Sequence, residues 1–414
     1  MAAQAAGASQ HVEGRPRQGP VRAEGRAVAD SGGAFNALGA TLFWGAWGYK
    51  FDRPRLERNL AALSAAGVDY VRVLGSVGGT SWQDRETDPR WTDYDEIVGG
   101  MTDLTYDKYG MRVQWTLFGG APFTESPTAR DHLVDRFGKL VRGREHKVFA
   151  LEIANEARSN GFAGEPGIAE LRRLGKRLND QTAVLVALSA PGSGAACETY
   201  AGAGADVATI HYARTGAGDG PWDYPARYDS ECPGQLPLMV FNNEPIGPES
   251  SVRQDDDPGR IAAAYVLTFL AHNAAYVLHA GPGIRGGGQA DVTGKLSRHA
   301  HFDELPSFKP IVTALKEARK YLPAGLANWT RHDLNAPDAP IEGADRIYSA
   351  SSESAFIALI QGAEKPRALR ARKACSIVVR DVSTGRIVQK LDASPGQPIA
   401  LKGNAPMVLI GRTK

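Results

Sequence analysis

The chain has 414 residues, of which 43% are hydrophobic and 23% are charged, and its formal net charge is +2. This length suits one large domain plus a small one, and the composition is that of a globular protein. The small net charge argues against nucleic acid or an anionic membrane as a partner, and polar residues interrupt the longest apolar runs before they reach the length of a membrane span.

The first 20 residues are small, polar and rich in glycine and proline, and they predict a flexible leader. They lack the apolar segment of a signal peptide. If a signal peptide was removed and these residues replaced it, an extracellular or periplasmic location is favoured. The three cysteines, Cys197, Cys232 and Cys375, show no zinc-binding spacing and no CxxC motif. The sequence is equally consistent with a disulfide between Cys197 and Cys232 and with three cysteines that are all free thiols.

Residues 21–40 predict a β-hairpin that turns near Ser31, Gly32 and Gly33. From residue 40 onward, short β-like runs alternate with helical stretches. The eight β-like runs cover 40–47, 68–75, 111–119, 147–157, 182–190, 205–213, 236–245 and 274–281. Helices are predicted over about 52–67, 94–109, 126–142, 167–180, 258–273 and 307–322, the first of them with Asp52 as its N-cap.

Each β-like run is almost continuously apolar, which is typical of parallel strands covered on both faces. Eight such units within roughly 250 residues predict an α/β fold of the (β/α)8 TIM-barrel type, with a doubly wound open sheet as the alternative. We expect the preceding hairpin to close the lower end of the barrel. Short strands after about residue 343, with a turn at Ser383-Thr384-Gly385, predict a small C-terminal β-sandwich. The predicted boundaries are 1–20 for the leader, 21–330 for hairpin and barrel, and 340–414 for the sandwich.

Two carboxylates lie at predicted strand ends. Glu156 ends the fourth run in "LEIANEA", and Glu244 ends the seventh in "FNNEP". Because chemistry in such barrels occurs at the carboxyl ends of the strands, these two groups are expected to face one gap, where one can donate a proton while the other attacks carbon. Glu152 lies inside the fourth run and is expected to pair with a buried arginine or histidine.

These residues resemble glycoside hydrolase clan A, the retaining (β/α)8 glycosidases, with family 5 and its relatives nearest. The resemblance covers residues 21–322 and rests on Asn155-Glu156 at the fourth strand and Glu244 at the seventh. It extends to Arg72 in "YVRVLG" and to His211-Tyr212 in "TIHYA". Family 5 usually has proline after Asn-Glu at the fourth strand, whereas Ala157 follows here and Asn-Glu-Pro stands at 243–245.

The resemblance implies roles for these residues. Glu156 would be the general acid/base, in apolar surroundings that keep it protonated, and Glu244 the nucleophile. Asn155 would bond the sugar 2-hydroxyl, while Arg72 and Tyr212 would keep Glu244 ionised. The implied reaction is hydrolysis of β-linked glycosides or polysaccharide by double displacement, without metal or organic cofactor. If 243–245 were instead the fourth strand, Glu304 would be the remaining candidate nucleophile.

Aromatic side chains are the usual stacking surface for sugars. The eighth run lacks the tryptophan that clan members often have there. We predict that Trp44, Trp115 and Trp222 line substrate subsites. For these residues, as for Trp47, Trp82 and Trp91, packing in the core is the competing interpretation, and Trp329 is expected to be structural.

Two other functions stay open. The GxGxxG pattern in 281–288 suggests a phosphate-binding TIM-barrel enzyme as one alternative. A substrate loop is the preferred interpretation of this segment, because neither a lysine nor a metal site is evident at the strand ends. The histidines and acidic residues within 299–304 are residue types that bind metals, but a His-x-His pattern alone does not predict a metal site. A non-catalytic carbohydrate-binding barrel is the alternative from a different class.

Overall fold

A computed structural model describes most of the chain from residue 19 onward. The described residues are 19–82, 84–120, 123, 126–190, 195–216, 218, 220–227, 236–237, 239–287, 298–333, 336–343, 346–361, 369–402 and 406–414. Almost all of the predicted leader therefore lies outside the described residues, as does Cys232. Cys197 takes part in a disulfide, and Cys375 is a free, buried thiol.

Eight parallel strands form a closed barrel, which confirms the predicted fold class. In chain order these strands are β4 (Ala37–Thr41), β5 (Tyr70–Leu74), β6 (Arg112–Phe118), β7 (Val148–Asn155), β8 (Val186–Ala190), β9 (Val207–Ile210), β10 (Met239–Asn242) and β11 (Ala275–Leu278), and β11 pairs with β4 to close the ring.

The helices that follow or surround these strands are α1 (Gly45–Phe51), α2 (Arg53–Ala65), α3 (Tyr94–Asp107), α4 (Pro127–Leu140), α5 (Gly164–Asn179), α6 (Ala195–Tyr200), α7 (Gly220–Arg227), α8 (Pro258–Leu270), α9 (Gly281–Ile284) and α10 (Phe308–Tyr321). Asp52 caps α2 as predicted, because its carboxylate accepts the Arg55 backbone N–H at 3.2 Å. Among the described residues, none of the helices combines the length and apolar character that a membrane crossing requires.

The prediction for the first barrel strand was wrong by several residues. The sequence run 40–47 was assigned to a strand, but β4 ends at Thr41 and helix α1 begins at Gly45. The apolar residues after Thr41 include Trp44, which is fully buried against the barrel at the start of α1. A short apolar segment does not distinguish a buried strand from a buried helix, and here it spans the junction of both.

The predicted hairpin is present as part of a three-stranded sheet that closes the lower end of the barrel. Its strands are β1 (Arg22–Glu24), β2 (Ala27–Asp30) and β3 (Gly33–Phe35). Val28 and Phe35 share one buried cluster with Tyr70 and Phe149 inside the barrel, and the rings of the last two stack at 3.7 Å. Gly39 of β4 is required there, because a Cβ would lie 2.4 Å from the Tyr70 ring.

Two antiparallel sheets follow the barrel and share one buried core, as predicted for a small sandwich. The larger sheet contains, in spatial order, β12 (Thr330–His332), β14 (Ile347–Ser351), β15 (Ala355–Ile360), β20 (Met407–Thr413), β17 (Cys375–Asp381) and β18 (Ile387–Ala393). The smaller sheet contains β13 (Ile341–Glu342), β16 (Leu369–Ala371) and β19 (Pro398–Ile399). The residues Ser383-Thr384-Gly385 join β17 to β18, so the predicted turn is confirmed.

Candidate active site

Two carboxylates meet at the carboxyl ends of the barrel strands. Glu156 directly follows β7, and Glu244 lies two residues after β10. One carboxylate oxygen of each lies within 4.8 Å of the other. Two carboxylates whose oxygens lie this close can both reach one bond of a bound substrate.

Glu244 is held by positive charge on both of its oxygens. Oε1 lies 2.8 Å from Nη1 of Arg72 and 3.3 Å from Nε2 of His211. Oε2 lies 3.2 Å from Nη2 of Arg214 and 3.8 Å from Nε2 of His279. The side chain is only 6% exposed. Such a carboxylate is fixed in position and keeps its charge despite being buried.

The electrostatic balance at Glu244 favours its ionised form. Burial by itself raises the pKa of this carboxyl group, but electrostatic interactions with His211, His279, Arg214 and Arg72 outweigh burial and hold the pKa far below its usual range. Burial lowers the pKa of His279 to about 3, so this ring is neutral near neutral pH. The two arginines are therefore the permanent cations that stabilise the Glu244 carboxylate.

Glu156 differs from Glu244 in conformation and in surroundings. Its backbone is left-handed, with φ of 38°, a conformation that costs free energy for a residue with a side chain and recurs at functional sites. Its side chain is 43% exposed, and Oε1 lies 3.1 Å from Nδ1 of His211. The expected apolar surroundings were thus wrong, because the group opens to the mouth of the barrel and has an imidazole beside it.

Arg72 organises the floor of the site. It is fully buried in β5, and besides Glu244 it donates to Oε2 of Glu152 at 2.9 Å and to Oδ1 of Asn155 at 2.8 Å. Burial opposes its charge, but Glu152 and Glu244 more than offset this and raise the pKa of the guanidinium. The predicted pairing of Glu152 with a buried arginine is confirmed. Because Oδ1 of Asn155 is committed to Arg72, its Nδ2 group is the one that can donate to a sugar hydroxyl.

Tyr212 does not take the place that the resemblance implied. Its hydroxyl donates to Oδ1 of Asn273 at 2.8 Å, and the side chain is buried. Oε2 of Glu244 instead accepts a hydrogen bond from Nη2 of Arg214 at 3.2 Å. Arg214, two residues after Tyr212, therefore supplies a charged donor to Glu244.

Sequence reasoning missed both Arg214 and His279. His279 directly follows β11, at the strand end where the resemblance would place a tryptophan, and its Nδ1 lies 2.9 Å from Oγ1 of Thr41. Its place at a strand end was a usable signal. Arg214 lies in the loop after β9, and an arginine in a loop carries no sequence signal that separates it from a surface charge.

The three tryptophans predicted to line subsites are buried. Trp44 is fully buried and donates to the Pro282 carbonyl, and Trp115 is 1% exposed and donates to Thr102. Trp222, in α7, is 6% exposed. The stacking prediction was therefore wrong for Trp44 and Trp115, whose rings belong to the main core, and Trp222 has little free surface. Apolar patterning cannot tell a ring facing the core from one facing the cleft.

A different aromatic group borders the mouth of the barrel. Trp82 is half-buried in the loop after β5, with its ring 6.5 Å from that of Phe43. Phe43 follows β4 and lies 6.0 Å from the His279 ring. The guanidinium of Arg285 lies over Trp82 at 4.1 Å. Both rings come from loops at the carboxyl ends of β4 and β5, but Phe43 is only 6% exposed, so Trp82 is the one of the two with free surface.

Glu156, His211 and Glu244 also form the one cluster among the described residues with the donor set of a metal site. The set fits a cation poorly, because two arginines lie within 3.2 Å of the Glu244 oxygens and repel a second positive charge. Both ring nitrogens of His211 also face a carboxylate already. The arrangement is better suited to proton transfer and nucleophilic attack.

The residues on which the alternative functions depend, in 281–288 and 299–304, make contacts with other parts of the chain. Gly283 packs on β4, where a Cβ would lie 1.8 Å from the Thr41 carbonyl, and the last residue of the glycine-rich pattern, 288, lies outside the described residues. Nδ1 of His299 is 2.8 Å from Glu249, and Nδ1 of His301 is 3.2 Å from the Asn59 amide. Glu304 pairs with Arg58 of α2 at 3.1 Å, away from the two carboxylates.

No protein-family model matches the sequence, and no curated protein matches it. Solved structures do. A glycoside hydrolase superposes with a TM-score of 0.67 at 14% identity, covering 95% of this chain and 97% of that chain. A glycoside hydrolase family 5 structure from Bacteroides vulgatus gives 0.70 at 12% identity, covering 95% and 94%.

A third structure, GH5_18 from Streptomyces cattleya in complex with GlcNAc, gives a TM-score of 0.51 at 14% identity and covers 70% of this chain and 82% of that chain. Identities this low establish the architecture alone. The resemblance to the clan A barrels is thus confirmed at the level of fold: this chain has the fold of glycoside hydrolases, family 5 members among them.

Proposed function

We propose that the protein is a retaining glycoside hydrolase that cleaves β-linked glycosides, with Glu244 as nucleophile and Glu156 as general acid/base. The observation that carries this proposal is the pair of carboxylates within 4.8 Å of each other at the ends of β7 and β10. The contrast between them supports the division of roles. One is buried against two arginines, and the other opens to the barrel mouth beside an imidazole.

The first step forms a covalent intermediate. A Glu244 oxygen attacks the anomeric carbon while the glycosidic C–O bond breaks, and Glu156 gives its proton to the departing oxygen. In the second step Glu156 takes a proton from water, the water oxygen bonds the anomeric carbon, and the ester bond to Glu244 breaks. Both side chains return to their starting protonation states, and the sugar keeps its anomeric configuration.

The neighbouring residues have roles that follow from their contacts. Arg72 and Arg214 keep Glu244 charged and aim its oxygens, and Asn155, fixed by Arg72, offers its amide to the sugar 2-hydroxyl. The half-buried ring of Trp82 offers aromatic surface near the mouth for the substrate. The proposed substrate class is an oligosaccharide or polysaccharide with β-linkages.

The test is hydrolysis of a panel of aryl β-glycosides and β-linked polysaccharides by the wild-type chain and two variants. Glu244→Ala and Glu156→Ala are expected to lose several orders of magnitude in kcat, on the order of 10³-fold or more, while circular dichroism shows both folded. Glu304→Ala is the matched control, since it removes the rival carboxylate at a surface ion pair. Full activity in Glu244→Ala would refute the proposal, and oligosaccharide binding without release of reducing ends would favour a non-catalytic binding barrel.

A further inference from the structure

Helix α7 lies between the candidate active site and the C-terminal sheets. It follows the loop that carries Arg214, and it contributes Trp222 and Asp223. Asp223 is 1% exposed, which is a costly environment for a carboxylate unless a cation compensates it.

The compensating cation comes from the C-terminal part of the chain. Arg346, directly before β14, makes a two-pronged ion pair with Asp223, with Nε to Oδ2 at 2.8 Å and Nη2 to Oδ1 at 2.7 Å. Arg331, in β12, donates from Nη2 to the carbonyl of Ala226 at the other end of the same helix. Two arginines from the C-terminal part of the chain, Arg331 in β12 and Arg346 directly before β14, therefore hold the side of α7.

The other side of α7 faces the nucleophile's surroundings. Trp222 and Arg214 line one small cavity of about 20 Å³ together with Tyr212, Asn242 and Pro245. Pro245 is the residue after Glu244, and Arg214 reaches Glu244 Oε2 at 3.2 Å. A shift of α7 would therefore change the packing around Arg214, because residues that line the same small cavity cannot move independently.

We propose that the Arg346–Asp223 ion pair positions Arg214 against Glu244, so that the C-terminal sheets complete the active site rather than merely following it. Arg346 and Asp223 are positioning residues, since they act through α7 and Arg214 and touch no reacting atom. The inference rests on the proposed function for its kinetic consequences, while its structural part stands on the contacts alone.

The kinetic consequence is a change in pH dependence. The charged and titratable groups that face Glu244 are Arg72, Arg214, His211, His279 and, within 4.8 Å, Glu156. If Arg214 moves away, Glu244 loses one of its two permanent cations, and its pKa rises. Because the nucleophile works ionised, the acid limb of kcat/KM then moves to higher pH.

The kinetic test compares Arg346→Met and Asp223→Asn with Arg346→Lys and a control. Arg346→Met and Asp223→Asn are expected to lose about ten-fold in kcat/KM on the acid side and less at the optimum, with the acid limb displaced upward. Arg346→Lys keeps the charge and should restore part of the loss. Arg372→Met is the control, since it removes an ion pair with Glu342 inside the C-terminal sheets, and it should match the wild type.

Hydrogen exchange supplies a readout that needs no activity. In Arg346→Met, peptides covering 211–216 and 220–227 should exchange faster, while those of β17 and β20 are unchanged. Faster exchange with a displaced acid limb supports the proposal. Unchanged exchange, faster exchange with a wild-type pH profile, or a loss that merely follows the unfolded fraction overturns it. If the wild type hydrolyses none of the glycosides but the exchange change is present, the proposed function fails and the positioning of α7 by Arg346 stands.

Discussion

At the scale of single residues, the division of labour follows from what surrounds each carboxylate. Glu244 is buried, yet each of its oxygens meets an arginine, and its pKa is held far below the usual range. Glu156 has a strained backbone and an open side chain beside His211. Two chemically identical groups thus receive different environments from the strand ends that carry them.

Replacing Arg214 tests the electrostatic part of this assignment. Arg214→Met removes one cation from Glu244, so the pKa of Glu244 should rise and the acid limb of kcat/KM should shift to higher pH. The loss at acidic pH should be on the order of ten-fold or more, and the loss at the optimum smaller. A pH–rate profile identical to that of the wild type would mean that Arg214 does not stabilise the ionised nucleophile.

The tryptophans give a prediction that separates core from cleft. Trp115→Ala should cost about 3–5 kcal/mol in the free energy of unfolding and leave KM of the folded enzyme unchanged, since Trp115 is buried in the main core. Trp82→Ala should instead raise KM with little effect on stability. Denaturant unfolding and steady-state kinetics on both variants provide the check, and the reverse pattern would contradict the placement of these rings.

The sequence allowed prediction of Glu156, Glu244, Asn155, Arg72 and His211 as neighbours because each ends or lies in a barrel strand. The contacts of Tyr212 and Arg214 could not be predicted from the sequence. Which side chain reaches a carboxylate from a loop depends on the path of that loop, and no periodicity encodes this path. The same limit explains why Trp82, rather than Trp44 or Trp115, is the tryptophan with free surface near the mouth.

At the scale of elements, β7 connects much of the barrel through one buried carboxylate. Glu152 accepts from Arg72 in β5, from Thr116 in β6, from Thr209 in β9 and from Asn243 after β10. Every one of these donors comes from a different strand or strand end, so the network fixes the strands relative to one another beneath Glu156 and Glu244.

Removing this carboxylate should be costly. Glu152→Ala leaves Arg72 with less compensation for its buried charge, and we expect a loss of about 3–5 kcal/mol in the free energy of unfolding, measured with urea. Glu152→Gln keeps the shape and part of the hydrogen bonding and should lose less. A change within about 0.5 kcal/mol for Glu152→Ala would show that the network is not stabilising.

Periodicity predicted seven of the barrel strands close to their positions but misplaced the first. Long amphipathic stretches such as α5 and α10 carry an unambiguous pattern, whereas the segment through Trp44 is apolar across a strand end and a helix start. Tertiary packing decides such segments, because either secondary structure would bury the same residues.

At the scale of the whole molecule, helix α8 joins the barrel to the C-terminal sheets. Eleven of its residues are buried, from Gly259 and Ile261 through Leu270. A helix that is apolar all round needs cover on every side. The barrel provides one side, and the six-stranded sheet provides another through Ile357, Leu359 and Val408, which belong to the same buried cluster.

This shared core predicts that barrel and sheets unfold together. Val408→Asp places a charge in the buried cluster that the barrel and the sheets share, and it should lower the free energy of unfolding of both parts together by about 3 kcal/mol or more. Ile387→Asp is a matched control on the same sheet, because Ile387 is 40% exposed. Two separate unfolding transitions in Val408→Asp, with only the transition of the C-terminal sheets changed, would contradict a common core.

The most direct test of the central claim is to trap the covalent intermediate. An activated 2-deoxy-2-fluoro β-glycoside of whichever sugar the wild type hydrolyses should inactivate the enzyme, and peptide mass spectrometry should find the sugar on Glu244. Glu244→Gln should stay unlabelled. A label on another residue, or hydrolysis with inversion at the anomeric carbon and no labelled enzyme, would contradict the assignment of Glu244 as the nucleophile of a retaining glycosidase.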